Sequence, residues 1–125
     1  MPIMSCALSQ RLADWRAAWE SLDPERIVAL YAADAVHESA AAGRALPWHA
    51  GARLSGRGEI EAFVASACRN LCSFRIEPRH VVEHAEVSVI EYRRVFNDDE
   101  SRAVLACEVI QWRDSRVAAS RVYHA

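Results

Sequence analysis

The sequence predicts an α+β fold, on three observations. Apolar residues recur at helical steps of three and four as far as Leu71, and from Ser73 onward the period switches to two with frequent β-branched residues. The 125 residues are 52% hydrophobic and 26% charged, which suits one core and a single domain over 1–125. Helices that come first and a meander that comes last place the helices on one sheet face.

Leu8, Leu12, Trp15, Trp19 and Leu22 share one stripe of a first helix, which Ser5 or Ser9 could cap. Asp23-Pro24 then reads as an N-cap followed by proline at the first helical position, and Ile27, Val28, Leu30 and Tyr31 give a second, shorter helix its apolar stripe. A short strand is expected over Ala35–Ser39. Gly43, Pro47, Gly51 and Gly56 break any regular element in the next stretch, so residues 40–56 read as a long loop of the kind that forms lids or binding loops, carrying Trp48 and His49. Ile60, Phe63, Val64, Ala67 and Leu71 mark a third helix beginning near Gly58. The segments SFRIEPRHVVEH, EVSVIEYRRVF, RAVLACEVIQWR and RVAASRVYHA read as strands, with hairpin turns at Asn97–Glu100 and Asp114-Ser115, so sequence neighbours should pair antiparallel.

The net charge of −2 and pI near 6.2 argue against a nucleic-acid partner, since such modules concentrate basic residues. All 15 basic residues are Arg, as in a GC-rich genome. No window has the apolar length of a membrane span, and MPIMSCALSQ lacks the regions of a signal peptide, so a soluble cytoplasmic chain is expected. Cys6, Cys68, Cys72 and Cys107 show no repeated CxxC and read as thiols, with the helical spacing of Cys68 and Cys72 assigned to core packing. His80 and His84 share a strand face near Glu83 and Glu86. No third ligand stands at a diagnostic spacing, so no metal site is expected.

The order of elements and several strings resemble the nuclear transport factor 2-like superfamily, which includes ketosteroid isomerase, scytalone dehydratase, limonene epoxide hydrolase and the SnoaL-like polyketide cyclases. The strings are Ile27-Val28-Ala29-Leu30-Tyr31-Ala32 followed by Asp34-Ala35, Ser55-Gly56 with Ile60 and Phe63, and Trp112-Arg113-Asp114 with Val117. The resemblance spans almost the whole chain. It implies a cone-shaped curved antiparallel sheet packed against three N-terminal helices, a cystatin-like α+β barrel with a deep apolar cavity. The same cone hosts isomerases, dehydratases, hydrolases, cyclases and binders, so an activity has to be argued from the site.

Alternation puts Ala106, Glu108, Ile110 and Trp112 on one strand face. A carboxyl between Ile110 and Trp112 has its charged form disfavoured, which raises its pKa and lets it donate a proton near neutrality. The resemblance agrees, because Glu108 matches the position of the protonated aspartic acid in the isomerase oxyanion hole. The alternative is a structural ion pair with Arg93 or Arg94 on the adjacent strand, which would pull the pKa down. The rest of the isomerase site is missing: its general-base aspartate falls on Ser39, its oxyanion-hole tyrosine on Trp15 and a supporting tyrosine on Val64. Ketosteroid isomerase activity is therefore not expected.

His37 lies two residues before Ser39 and is a candidate base, or else an inert hydrogen-bonded wall residue; a one-residue slip would turn Glu38 inward instead. His49 could close over a ligand or be solvated. Trp15, Trp19, Tyr31, Trp48, Phe63, Tyr92, Ile110 and Trp112, with Ser39, are the candidate pocket wall. Both faces of Val87–Phe96 carry apolar residues, so one should line the cavity and the other pack on a second subunit in a homodimer, as the resemblance also implies. The expected activity is cofactor-independent proton transfer on a small hydrophobic molecule, with Glu108 as acid and His37 as base. Its rivals are a non-catalytic binder of a hydrophobic ligand, with Glu108 locked to an arginine, and a dimeric association domain with a filled cavity.

Overall fold

The computed structural model describes residues 7–39 and 53–124. Trp48, His49 and Cys6, together with residues 40–52 of the expected loop, lie outside the described residues.

Helix α1 spans Gln10–Ser21, with the Ser9 hydroxyl accepting from the Leu12 N–H and Leu22 closing the helix in the left-handed region at φ 54°. Asp23 caps α2, Pro24–Val28, by accepting from the Glu25 N–H at 3.0 Å. The second helix is shorter than its apolar stripe suggested. The Leu30 carbonyl accepts from the Val117 N–H at 2.7 Å, and Tyr31 opens strand β1, Tyr31–Glu38, so pairing with a distant strand overrides the local helical pattern.

Strand β2, Arg53–Ser55, pairs antiparallel with the end of β1, where a loop was expected. Gly56 follows at φ +86°, a conformation that suits glycine, and its N–H donates to the Ala35 carbonyl at 2.7 Å. Helix α3 then runs Arg57–Arg69 and buries Ile60, Phe63 and Val64. Strands β3 (Phe74–Glu83), β4 (Val87–Phe96), β5 (Val104–Arg113) and β6 (Arg116–His124) form the antiparallel meander, with a short 3₁₀ turn at Glu100–Arg102.

The sheet among the described residues has six strands in the order β2-β1-β6-β5-β4-β3. One pairing departs from the all-antiparallel expectation, because β1 lies parallel to β6 and returns the start of the chain to its end. Register shifts interrupt β1 between Tyr31 and Val36, β3 between Pro78 and His80, and β5 between Gln111 and Trp112. Such bulges bend a strand and deepen its twist. The result is a curved, unclosed sheet with the helices against its concave face, the architecture of an NTF2-like cone. Leu12, Trp15, Ile27, Ile60 and Val64 from the helices meet Ile76, Ile90 and Ile110 from the sheet in one core.

Candidate functional site

Alternation along β4 and β5 sets the chemistry of the concave face. Tyr92, Arg94 and Phe96 point inward from β4, and Glu108 points inward from β5 opposite Ile90. Core packing does not fill the space between sheet and helices. A cavity of about 470 Å³ remains, lined among the described residues by Trp15 and Trp19 of α1, Phe63 and Cys68 of α3, Ile76 of β3, and the polar groups His37, Ser39, Asn70, Tyr92, Arg94 and Glu108.

Two polar clusters face this apolar space. In the first, the Tyr92 hydroxyl donates to Glu108 Oε1 at 2.8 Å and itself accepts from Arg94 Nε at 3.1 Å and Nη2 at 2.7 Å. Arg94 Nη1 lies 3.1 Å from His124 Nε2. The Trp15 ring meets the Tyr92 ring edge-on at 5.5 Å. Glu108 is 3% exposed, and burial pushes its carboxyl above the ordinary value of 4.5, although Arg94 and the Tyr92 hydrogen bond pull it the other way. Of the two surroundings left open for Glu108, the structure brings a cation near: Arg94 Nη2 stands 3.8 Å from Glu108 Oε1. That contact is neither bidentate nor within hydrogen-bond range, because the guanidinium forks onto the phenol between them. Arg93, the other candidate partner, faces away and binds Glu77 and Glu100.

In the second cluster, His37 Nδ1 lies 2.6 Å from the Ser120 hydroxyl, which is also hydrogen-bonded to Tyr31. Parallel pairing of His37 with Ser120 creates this contact. The imidazole stacks on Phe63 with centroids 5.6 Å apart and sits edge-on to Tyr31. Burial, and then the charge of Arg94, lower the His37 pKa from 6.5 to about 4, so the ring is neutral at physiological pH. Glu38 points the other way, 3.9 Å from Arg53.

Of the candidate wall residues, Trp15, Trp19, Ser39, Phe63 and Tyr92 line the cavity with Glu108 and His37. Tyr31, Ile110 and Trp112 do not. Tyr31 is buried behind the wall, its hydroxyl shared with Ser120 and Trp19. Ile110 is enclosed in the core. Trp112 lies four residues beyond Glu108, about 13 Å along a strand. There its indole N–H donates to Ser88 at 2.8 Å and Arg11 of α1 covers the ring, so the start of α1 closes that end of the cone.

Sequence reasoning missed Phe74 and Ser120, and it considered Arg94 only as a partner for Glu108. The shared parity of Tyr92, Arg94 and Phe96 carried the signal for Arg94. Ser120 had none, because its role depends on the non-local β1–β6 pairing. Cys68, assigned to core packing, lines the cavity. His80 is exposed and pairs with Glu91 at 2.8 Å. Among the described residues no group of three or more His, Cys, Asp or Glu could hold a metal ion, and no helix is long and apolar enough to cross a membrane.

A family model described as a SnoaL-like domain matches residues 12–120. No curated protein matches the chain. Among solved structures, a SnoaL-like protein of unknown function from Burkholderia thailandensis superposes with a TM-score of 0.75 at 22% identity, over 95% of this chain and 99% of that one. A putative polyketide cyclase from Sinorhizobium meliloti gives 0.72 at 17% identity, over 93% and 95%. TerC, co-crystallised with polyporic acid, gives 0.71 at 15% identity, over 93% and 89%. Likenesses at these identities concern the fold.

Proposed function

The chain belongs to the SnoaL-like domain family of the NTF2-like superfamily, and from that premise we propose that it catalyses cofactor-independent proton transfer on a small apolar carbonyl compound bound in the cone. One observation carries the reading: Glu108 and His37 face the same apolar cavity, and burial disfavours the charged form of each. A carboxylic acid and a neutral imidazole are the two forms that enolisation needs.

In the step, His37 Nε2 takes the proton from the carbon next to the carbonyl while the Glu108 carboxyl gives its proton to the carbonyl oxygen. The C–H electron pair becomes the enol double bond, and charge is conserved. Return of a proton to another carbon gives an isomer or a cyclised product. The required tautomer has Nδ1–H donating to Ser120, which leaves Nε2 to accept. Tyr92 holds Glu108 Oε1, so the other carboxyl oxygen meets the substrate. A volume of about 470 Å³ suits a ligand of two or three fused rings. The putative polyketide cyclase among the structural neighbours has the same fold.

The Arg94 contact favours a second reading, a non-catalytic binder in which Glu108 stays ionised and locked in the Arg94–Tyr92 cluster. Exchange of α-protons for deuterium separates the two. With apolar cyclic ketones, 2-tetralone first, the protein should speed exchange above the buffer rate, and Glu108→Gln and His37→Phe should each lower that gain at least about tenfold. Ketone binding without exchange, or exchange untouched by both substitutions, overturns the catalytic reading.

A homodimer through the outer sheet face belongs to the same proposal. Val82, Val89 and Val109 form a row of paired residues across β3, β4 and β5, and Val82 is 60% exposed.

A further inference from the structure

Arg94 is an unusual residue for an apolar cavity. Its side chain is 16% exposed, it lies on the cavity wall, and its charge reaches as far as His37, whose protonated form it disfavours. Of a guanidinium's five N–H donors, one on Nε and one on Nη2 go to the Tyr92 oxygen and one on Nη1 goes to His124. The fourth and fifth, one on each Nη, have no hydrogen-bond partner among the described residues. Glu108 does not take them up, since its nearest oxygen is 3.8 Å away and already accepts from Tyr92.

A buried cation with unused donors on a wall that also presents the rings of Trp15, Trp19, Phe63 and Phe74 has a chemical complement. We infer that Arg94 is a specificity-determining residue that selects ligands bearing an anionic oxygen, a carboxylate or an ionised enol, on an apolar ring body. Guanidinium suits this task because its planar donors meet such oxygens directly and it stays charged when buried. The site is designed by exclusion as well: a ligand cation would meet Arg94 without water to screen the repulsion. This inference rests on the reading of the cavity as a small-molecule site and adds the class of molecule.

The test uses matched naphthalene probes, followed by calorimetry and by quenching of tryptophan fluorescence: 2-naphthoate, 2-hydroxy-1,4-naphthoquinone in its ionised form, neutral methyl 2-naphthoate and cationic 2-naphthylmethylammonium. At neutral pH the wild-type protein should bind at least one of the two anions about tenfold or more tighter than the ester, and the cation most weakly. A preference for naphthoate identifies a carboxylate as the group, and a preference for the hydroxyquinone identifies an enol. Arg94→Gln should abolish the anion preference, the anion losing more affinity than the ester, and Arg94→Lys should keep part of it. The wild-type ranking needs no variant, so a misfolded substitution does not decide the matter. Equal affinities for anion and ester, or a preference that survives Arg94→Gln, overturn the role of Arg94 and leave the cavity reading standing. Failure of every probe to bind overturns both.

Discussion

Burial disfavours the charged forms of His37 and Glu108 alike, with opposite consequences for stability. The folded chain keeps His37 unprotonated down to about pH 4, whereas an exposed imidazole takes its proton near 6.5. Between those values the unfolded chain binds more protons. Stability contributed by His37 is therefore present above pH 6.5 and lost as pH falls towards 4, by up to about 3 kcal/mol. Glu108 runs the other way: its folded pKa is raised above 4.5, so its contribution is present below that value and lost as pH rises through the folded pKa. Urea unfolding across a pH series should show a shallower acid limb for His37→Gln than for wild type. Glu108→Gln should remove part of the loss on the neutral side. Parallel pH curves for wild type and both variants would contradict this assignment.

Elements whose pairing is local were legible in the sequence, and those that depend on distant partners were not. The alternation that groups Tyr92, Arg94 and Phe96 on one face of β4, though not which face lines the cavity, the third helix within a residue of its start, and the meander strands all follow from short-range period and turn chemistry. Asp114 and Ser115 adopt φ of 52° and 66°, the left-handed pair that a tight hairpin needs. Serine has a Cβ cost there that glycine lacks, so Ser115→Gly should stabilise the chain by about 0.5–1 kcal/mol, read as a higher urea midpoint. The end of α2, the strand identity of Tyr31 and the place of Ser120 beside His37 were illegible, because all three follow from the parallel pairing of β1 with β6. Within the site, alternation identified Glu108 as inward-facing and His37 as a wall candidate. It placed Trp112 too close, because it gives the face of a residue and not its distance along the strand.

At the scale of the whole molecule, the sheet has a concave face that borders a cavity and an outer face that carries the Val82, Val89 and Val109 row. The valine row on the outer face predicts a dimer in solution that Val89→Glu disrupts, as light scattering after size exclusion would measure; an unchanged mass would locate the interface elsewhere or remove it. The inner face concentrates the chemistry, since every catalytic proposal depends on a cavity dry enough to keep a carboxyl protonated beside an arginine. Chain labelled with ¹³C in its glutamate carboxyls, titrated by NMR and assigned by comparison with Glu108→Gln, tests this most directly. The account predicts one resonance, absent from the variant, with a midpoint clearly above 4.5. A Glu108 midpoint at or below that value would mean an ionised carboxylate paired with Arg94, and no proton for it to give.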